Sequence, residues 1–273
     1  TMFLNQMRNT FIIIFSALLM ASCSEYQDVL KSDDMSMKYS MADSLYQAGK
    51  YKKSLKLWEQ VVPTYRGKPQ AERVMFLYAD TYYNVGDYYM AGYNFDRFVT
   101  SYPNSEKAEE AQFKAGLSYY ELSPRYSLDQ SETEKALDKL QQFIGKYPES
   151  EFTEPATEKI NELSLKLQKK AFEIAKQYNT IGSYLGGYVS AKAALDDFIS
   201  DYPGSPYREA AFYYKLDSQY KYAIDSVPSL VEERLKEADA YYKTLVKSYP
   251  EGEYRAQADE IKADIDQRLQ QYL

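Results

Sequence analysis

The sequence predicts an all-α protein, an α-solenoid of about five helix hairpins that ends in a capping helix. The first observation is a Tyr-Pro pair that occurs four times, with its proline at positions 103, 148, 203 and 250. The second is that residues at fixed offsets from these prolines agree. Alanine stands at −12 and at +8 in every copy, and position −5 is Phe98, Phe143, Phe198 or Leu245. Agreement at several offsets in four copies indicates an internal repeat.

The spacing within one repeat predicts a helix followed by a turn. The alanine allows a neighbouring helix to approach closely, and the aromatic residue seven positions later packs on the same side. Proline then ends the helix, because it lacks the amide hydrogen and its ring clashes with the preceding turn. A serine two residues after the first three prolines is placed to cap the next helix. These are Ser105, Ser150 and Ser205.

The repeat offsets set the predicted boundaries of the hairpins. The first hairpin is aligned by Gly49 and Tyr51, which match Gly86 and Tyr88 of the second, and this alignment places Trp58 where the second hairpin has Phe95. Glycine permits the tight turn between two helices. The predicted elements are hairpins over residues 36–66, 69–103, 105–148, 150–203 and 205–250, and a capping helix over 253–273.

Three hairpins depart from a constant period. The third has about eight extra residues around its turn, and the fifth has an expansion over residues 225–233 that includes Pro228. In the fourth, Gly182 competes with Gly186 and Gly187 for the turn, after a helix predicted to run from about 154 to 178. Insertions in repeat proteins often mark partner contacts, and tolerated loop growth is the equal alternative.

The composition excludes several classes of function. The 273 residues include no histidine and one cysteine, Cys23, so histidine-based catalysis and cysteine-rich metal sites are excluded. The net charge of −7 argues against a nucleic-acid partner. Adjacent carboxylates such as Asp196 and Asp197 point in different directions on a helix and do not form an acid/base pair. We therefore expect no enzymatic activity, no metal and no cofactor.

The amino-terminal residues predict a lipoprotein signal peptide over residues 1–22. Arg8 precedes an apolar run over residues 11–20, which is too short to span a bilayer, and a small Ala-Ser pair then precedes Cys23. We expect Cys23 to be the lipidated first residue of the mature protein. An ordinary signal peptide with an incidental cysteine is the alternative. Residues 23–35 are predicted to be the lipidated cysteine and a short polar tether.

Several of these motifs resemble known families. Gly86 with Tyr88, then Ala91, Phe95, Phe98 and Pro103, resemble the tetratricopeptide pattern. Such hairpins behind a signal of this type, with the Ser-Pro-Arg-Tyr-Ser-Leu insertion at residues 123–128, resemble the BamD family of the outer-membrane β-barrel assembly machinery. The resemblance implies a non-catalytic scaffold that is lipid-anchored at the periplasmic face of the outer membrane. Its implied partners are the POTRA domains of BamA and unfolded outer-membrane β-barrel proteins.

The same resemblance implies a client groove, since the first helix of each tetratricopeptide hairpin lines the concave side. We assign this groove to the repeats over residues 36–148, and the insertase-binding half to residues 149–273. A mixed aromatic and charged surface suits extended β-barrel segments, and Arg73 is available to a carboxylate. The candidate groove residues are Tyr39, Asp43, Tyr46, Arg73, Phe76, Asp80, Tyr83, Phe113 and Tyr120. The alternative is that half of the rings pack between neighbouring helices and contact no ligand.

Two other functions fit a lipoprotein built from helix hairpins. One is a glycan-binding lipoprotein with exposed aromatic platforms, against which stand the compact length and the single tryptophan. The other is a different envelope scaffold of tetratricopeptide type. Identification of BamA among the partners of the detergent-solubilised protein separates the assembly role from both.

Overall fold

The computed structural model describes residues 25–182 and 184–272. The predicted signal peptide and Cys23 lie outside the described residues. All regular secondary structure within the described part is helical, and consecutive helices are connected by short turns. The prediction of an all-α repeat fold is confirmed.

The helices follow one another in hairpins, and the first helix of each hairpin is here called its A helix. Helix α1 covers residues 25–31. The five A helices are α2 (Met35–Gln47), α4 (Ala71–Val85), α6 (Ala108–Leu122), α8 (Thr153–Ile181) and α10 (Arg208–Ile224). Their partners are α3 (Tyr51–Tyr65), α5 (Tyr88–Ser101), α7 (Ser131–Lys146), α9 (Gly187–Asp201) and α11 (Pro228–Ser248). The capping helix is α12 (Arg255–Leu269), and short 3₁₀ helices form at Tyr184–Gly186 and Gln270–Tyr272.

The chain forms two compact units, which are described separately. The first contains the described residues up to Ser123 together with Ser131–Ile160, and the second contains Pro124–Gln130 together with the residues from Asn161 onward. In the first unit each helix from α2 to α6 packs on the next one along the chain. In the second, α10 packs on α9, α11 and α12. Sequential packing of this kind is typical of helical repeats.

The repeat alanines are buried inside the helix stack. All eight are fully buried, with 0% exposure: Ala91, Ala111, Ala136, Ala156, Ala191, Ala211, Ala238 and Ala258. Gly116 shows how tight the packing is, because a Cβ added there would lie 2.6 Å from Leu140 Cδ2. Trp58 and Phe95 are also fully buried, as the alignment of the first hairpin predicts. The register derived from the sequence is confirmed.

The serines after the Tyr-Pro pairs form turns just before the following helices. They do not occupy the N-cap positions as predicted, because Lys107 and Tyr207 stand there in α6 and α10 and neither helix has a side-chain cap. The serine side-chain oxygens accept the backbone N–H of the residue two positions later, at 2.9 Å for Ser105, 3.0 Å for Ser150 and 3.2 Å for Ser205. The fourth pair is followed by Gly252 instead, and Glu209 Oε1 accepts the N–H of Tyr254 at 2.9 Å. A carboxylate from the previous hairpin therefore replaces the missing hydroxyl.

A ring contact between hairpins recurs four residues after each of these prolines. An aromatic side chain at that position stacks on a ring of the preceding A helix, and the interplanar angles are 14°, 9° and 26° in the pairs Phe113–Phe152, Phe172–Tyr207 and Tyr213–Tyr254. After Pro103 the position is occupied by Lys107, whose Nζ lies 5.4 Å from the centre of the Phe76 ring. These contacts bury apolar area between neighbouring hairpins. The repeat pattern of the sequence does not predict them.

Two segments differ from their predictions. Residues 25–31, expected to belong to a polar tether, form α1, and its Tyr26 and Val29 are only 7% and 4% exposed. A helix of this length is too short for its pattern of polar and apolar residues to be recognised in the sequence. Its burial is therefore visible only in the packed structure. The expanded turn expected at residues 225–233 is also mostly helical, because α11 begins at Pro228. Proline is favoured in the first turn of a helix, where its missing N–H would have no partner.

The fourth hairpin uses both of its candidate glycine sites. Gly182 and Gly186 have φ of 71° and 73°, which is the left-handed region that favours glycine. A Cβ on Gly187 would lie 2.5 Å from the carbonyl oxygen of Gly182, so the chain folds back tightly onto the end of α8. Helix α8 is 29 residues long, as the sequence indicates.

Candidate functional site

The predicted groove residues lie on the three A helices of the first unit. Helix α2 carries Tyr39, Asp43 and Tyr46; helix α4 carries Arg73, Phe76, Asp80 and Tyr83; helix α6 carries Phe113 and Tyr120. Their side chains fall into four sets that differ in burial. One is paired on the surface, one forms a buried polar network, one belongs to the core, and the last is a row of partly exposed tyrosines that shares Tyr46 with the network.

The surface pair connects α2 and α4. Arg73 donates a hydrogen bond to Asp43 over 2.7 Å, and the two side chains are 52% and 28% exposed. The Tyr39 ring stacks on Tyr65 with their centres 5.4 Å apart. Arg73 is thus accessible to a carboxylate, although binding one would compete with Asp43 for the guanidinium.

The buried network is centred on Asp80, which is 3% exposed. Its carboxylate accepts hydrogen bonds from the Tyr46 hydroxyl of α2 and from Asn84 Nδ2 at 2.8 Å, and it is paired with the ammonium of Lys114 on α6. Burial and the hydrogen bond to Asp80 raise the pKa of Tyr46. Asp80 therefore joins three consecutive A helices, and its charge is satisfied inside the protein.

The same connection recurs in the second unit. Asn179 of α8 donates to Asp217 of α10 at 2.8 Å, and the Tyr220 hydroxyl of α10 donates to Asp264 of α12 at 2.6 Å. In each case a donor near the carboxyl end of one A helix bonds to an aspartate on the A helix of the next hairpin or, after α10, on the capping helix α12. We call these three contacts aspartate rungs. They hold neighbouring hairpins in register.

Phe76 and Phe113 do not line an open surface, which corrects the sequence prediction. Each is only 7% exposed. The Phe76 ring packs edge-on against Phe95 and Phe98, and the Phe113 ring stacks on Phe152. A helical period places such rings on one side of the A helix, but the second helix of the same hairpin and the start of the next hairpin cover that side.

Three tyrosines remain partly exposed at equivalent positions of α2, α4 and α6. Tyr46, Tyr83 and Tyr120 are each separated by 37 residues, which is one repeat. Burial, followed by the charge of Glu121, raises the pKa of Tyr83 to about 12, so this hydroxyl stays protonated and can donate. Lys159 Nζ lies 4.6 Å from the centre of the Tyr120 ring and donates to its hydroxyl over 3.3 Å. We call this row the tyrosine row.

A second surface lies on α8 in the second unit, at positions where the sequence predicts no site. Ile174, Tyr178 and Ile181 are 45%, 38% and 42% exposed, and their spacing of four and three residues places them along one side of the helix. Tyr184, which is 77% exposed, follows the end of α8, and these four residues are called here the α8 stripe. The opposite side of α8 is in the core through Phe172 and Ala175. Apolar residues on both sides of α8 are the sequence signal that could have indicated this surface.

The insertion of the third hairpin borders the α8 stripe. Lys170 donates to the backbone carbonyl of Leu128 at 2.6 Å, and the Lys169 ammonium lies 4.5 Å from the centre of the Tyr126 ring. Tyr126, Lys170 and Ile174 line one recess. The insertion therefore packs on α8, and together they form a continuous surface within the second unit.

The described residues offer no arrangement typical of metal chemistry or of a membrane span. No three of their acidic, histidine or cysteine side chains are close enough together to hold a metal ion. None of the helices in the described part combines the length and the apolar character needed to cross a bilayer.

Comparison with known proteins gives a family. The family model described as YfiO, outer membrane lipoprotein, matches residues 31–187 and 177–272. No curated protein matches the chain. A solved structure of kinesin light chain TPR-like repeats from Podospora anserina is 14% identical, with 80% of this chain and 99% of that chain covered and a TM-score of 0.33.

Proposed function

Because the chain belongs to the YfiO family of outer membrane lipoproteins, we propose that it is a non-catalytic scaffold of outer-membrane protein assembly. It faces the periplasm, is anchored by a lipid on Cys23, binds the POTRA domains of BamA and helps to deliver unfolded β-barrel proteins. The observation that carries the proposal is the tyrosine row, which repeats one partly exposed ring on three consecutive hairpins.

The tyrosine row suits an extended client. A transmembrane β-strand presents an apolar or aromatic side chain at every second residue, and rings at regular intervals are rigid partners for such side chains at a low entropic cost. Arg73 adds a half-exposed guanidinium on the middle helix, suited to a carboxylate of the client. The aspartate rung between Tyr46 and Asp80 fixes the spacing of the first two rings.

We expect replacement of Tyr83 and Tyr120 by alanine to weaken client binding about tenfold or more, since each anchoring ring contributes on the order of 1 kcal/mol. The measurement is the Kd for a fluorescent peptide taken from the last strand of an outer-membrane barrel. The control replaces Tyr89 and Tyr93, which lie on α5 and are 62% and 50% exposed. Equal loss in both double variants, or loss only in the control, would contradict a client site on the A helices.

The α8 stripe suits a folded partner. Ile174, Tyr178 and Ile181 are exposed together on one side of α8, and Tyr184 is exposed just beyond its end. Soluble surfaces usually avoid such apolar groups unless another protein covers them. Aromatic and aliphatic anchors of this kind contribute most of the energy in protein interfaces. We therefore assign the POTRA contact to this stripe and the adjoining insertion.

We expect replacement of Ile174 and Ile181 by serine to reduce the yield of BamA POTRA domains in a pull-down at least tenfold, because two central apolar contacts are lost. Both side chains are exposed, so the fold should be retained. A control replaces Val227 and Leu230, which are exposed at the turn between α10 and α11 in the same unit. Full recovery of POTRA domains with the α8 variant would place the contact elsewhere.

A further inference from the structure

A group of lysines stands out on the first hairpin of an otherwise acidic protein. Lys50, Lys52, Lys53 and Lys56 fall within seven residues, and the sequence has no carboxylate between Asp43 and Glu59. All four side chains are exposed at the turn and the first turns of α3. We call them the lysine cluster. The protein as a whole has a net charge of −7, so this concentration of positive charge is local.

Helix α1 ties the lysine cluster to the start of the mature chain. Its Tyr26 is 7% exposed and donates a hydrogen bond to the backbone carbonyl of Lys53 over 3.2 Å. The ammonium of Lys53 lies 5.1 Å from the centre of the same ring. Val29, one turn further along α1, is 4% exposed in the core of the first unit. The beginning of α1 is thus held against the beginning of α3.

The proposed lipid anchor on Cys23 limits how far the lysine cluster can lie from the membrane surface. Cys23 precedes residue 25 by two positions, and a chain extends by at most about 3.6 Å per residue. An acylated Cys23 therefore keeps α1, and the lysine cluster packed beside it, within roughly one or two Debye lengths of the membrane surface, where positive side chains are attracted to anionic lipids.

Acidic groups near the cluster reduce its charge without cancelling it. Glu25 and Asp28 of α1 border the same recess as Lys50 and Lys53. Lys52 lines the adjoining recess together with those two lysines, and Lys56 extends the positive surface by one helical turn. The four lysines outnumber the two carboxylates.

We propose that the lysine cluster binds the phosphate groups of anionic phospholipids beside the anchor, so that the first hairpin is held against the membrane surface. This inference rests on the proposed lipidation of Cys23. The contact orients the protein as well as attaching it. Helix α3 of the first hairpin packs on α4, and the lysine-bearing turn before α3 faces the lipid headgroups.

The test uses the acylated mature protein in two kinds of vesicle, one of phosphatidylcholine alone and one containing phosphatidylglycerol. A water-soluble acetylating reagent that reacts with amines modifies exposed lysines, and mass spectrometry measures the acetylation rate at each lysine. We expect the lysine cluster to react at least threefold more slowly on the anionic vesicles, and 0.5 M salt to remove the difference. Lys236 and Lys243, exposed on α11, should react equally on both.

Matched variants show whether the cluster itself causes the protection. In a variant with Lys50, Lys52 and Lys53 replaced by glutamine, the remaining Lys56 should lose its protection on anionic vesicles. A control with Lys236, Lys243 and Lys247 replaced by glutamine should keep it. Equal acetylation rates of the cluster on both vesicles would overturn the inference. Protection that rises with the concentration of this protein, and is the same on both vesicles, would also overturn it. Protein that floats with neither vesicle would instead contradict the anchor.

Discussion

Replacement of Cys23 by serine is expected to move the protein from the membrane fraction to the soluble fraction. Acyl chains contribute about 0.8 kcal/mol of membrane affinity for each buried methylene, whereas attraction of exposed lysines to lipid headgroups is weaker and is screened by salt. No described helix is able to span the bilayer in place of the lipid. The measurement is fractionation of cells after a high-salt wash without detergent, with detection of the protein in both fractions.

A control for this experiment is Ser24→Ala, which leaves the proposed acylation site intact and should stay in the membrane fraction. Retention of most of the Cys23→Ser protein in the membrane after the wash would contradict the lipid anchor as the main attachment. Labelling with a radioactive fatty acid provides an independent readout, since Cys23→Ser should incorporate none.

Replacement of Asp80 by alanine is expected to lower the free energy of unfolding by about 3 kcal/mol, because removal of one member of a buried charged network leaves its partners unsatisfied. The Tyr46 hydroxyl loses its acceptor, and the ammonium of Lys114 keeps only Glu110, at 3.0 Å. Urea unfolding followed by circular dichroism measures the change.

The matched control is Asp96→Ala. Asp96 also pairs with a lysine and a tyrosine of other helices, Lys139 at 2.7 Å and Tyr119 at 3.2 Å, but its side chain is 34% exposed. Water therefore replaces the lost contacts, and we expect the free energy of unfolding to fall by about 1 kcal/mol or less. Equal costs for the two variants would show that the aspartate rung does not stabilise the stack beyond an ordinary surface pair.

The repeat register could be predicted from the sequence because it depends on local chemistry. The proline of each Tyr-Pro pair follows the end of a helix that it cannot continue, glycine permits the left-handed turn at residues 49 and 86, and a buried alanine allows two helices to approach closely. Each requirement fixes a residue type at a constant offset. The later hairpins followed from those offsets, and the first followed from the match of Gly49 and Tyr51 to Gly86 and Tyr88.

What only the tertiary structure decided is which side chains stay accessible once hairpins pack together. Phe76 and Tyr83 lie on the same helix, yet α5 and the start of the next hairpin cover the first and leave the second partly open. The aspartate rungs, the packing of α1 and the exposed stripe of α8 depend in the same way on neighbours distant in sequence. A helical period gives the direction of a side chain from its own axis. It does not give what lies in that direction, since that depends on the position of another helix.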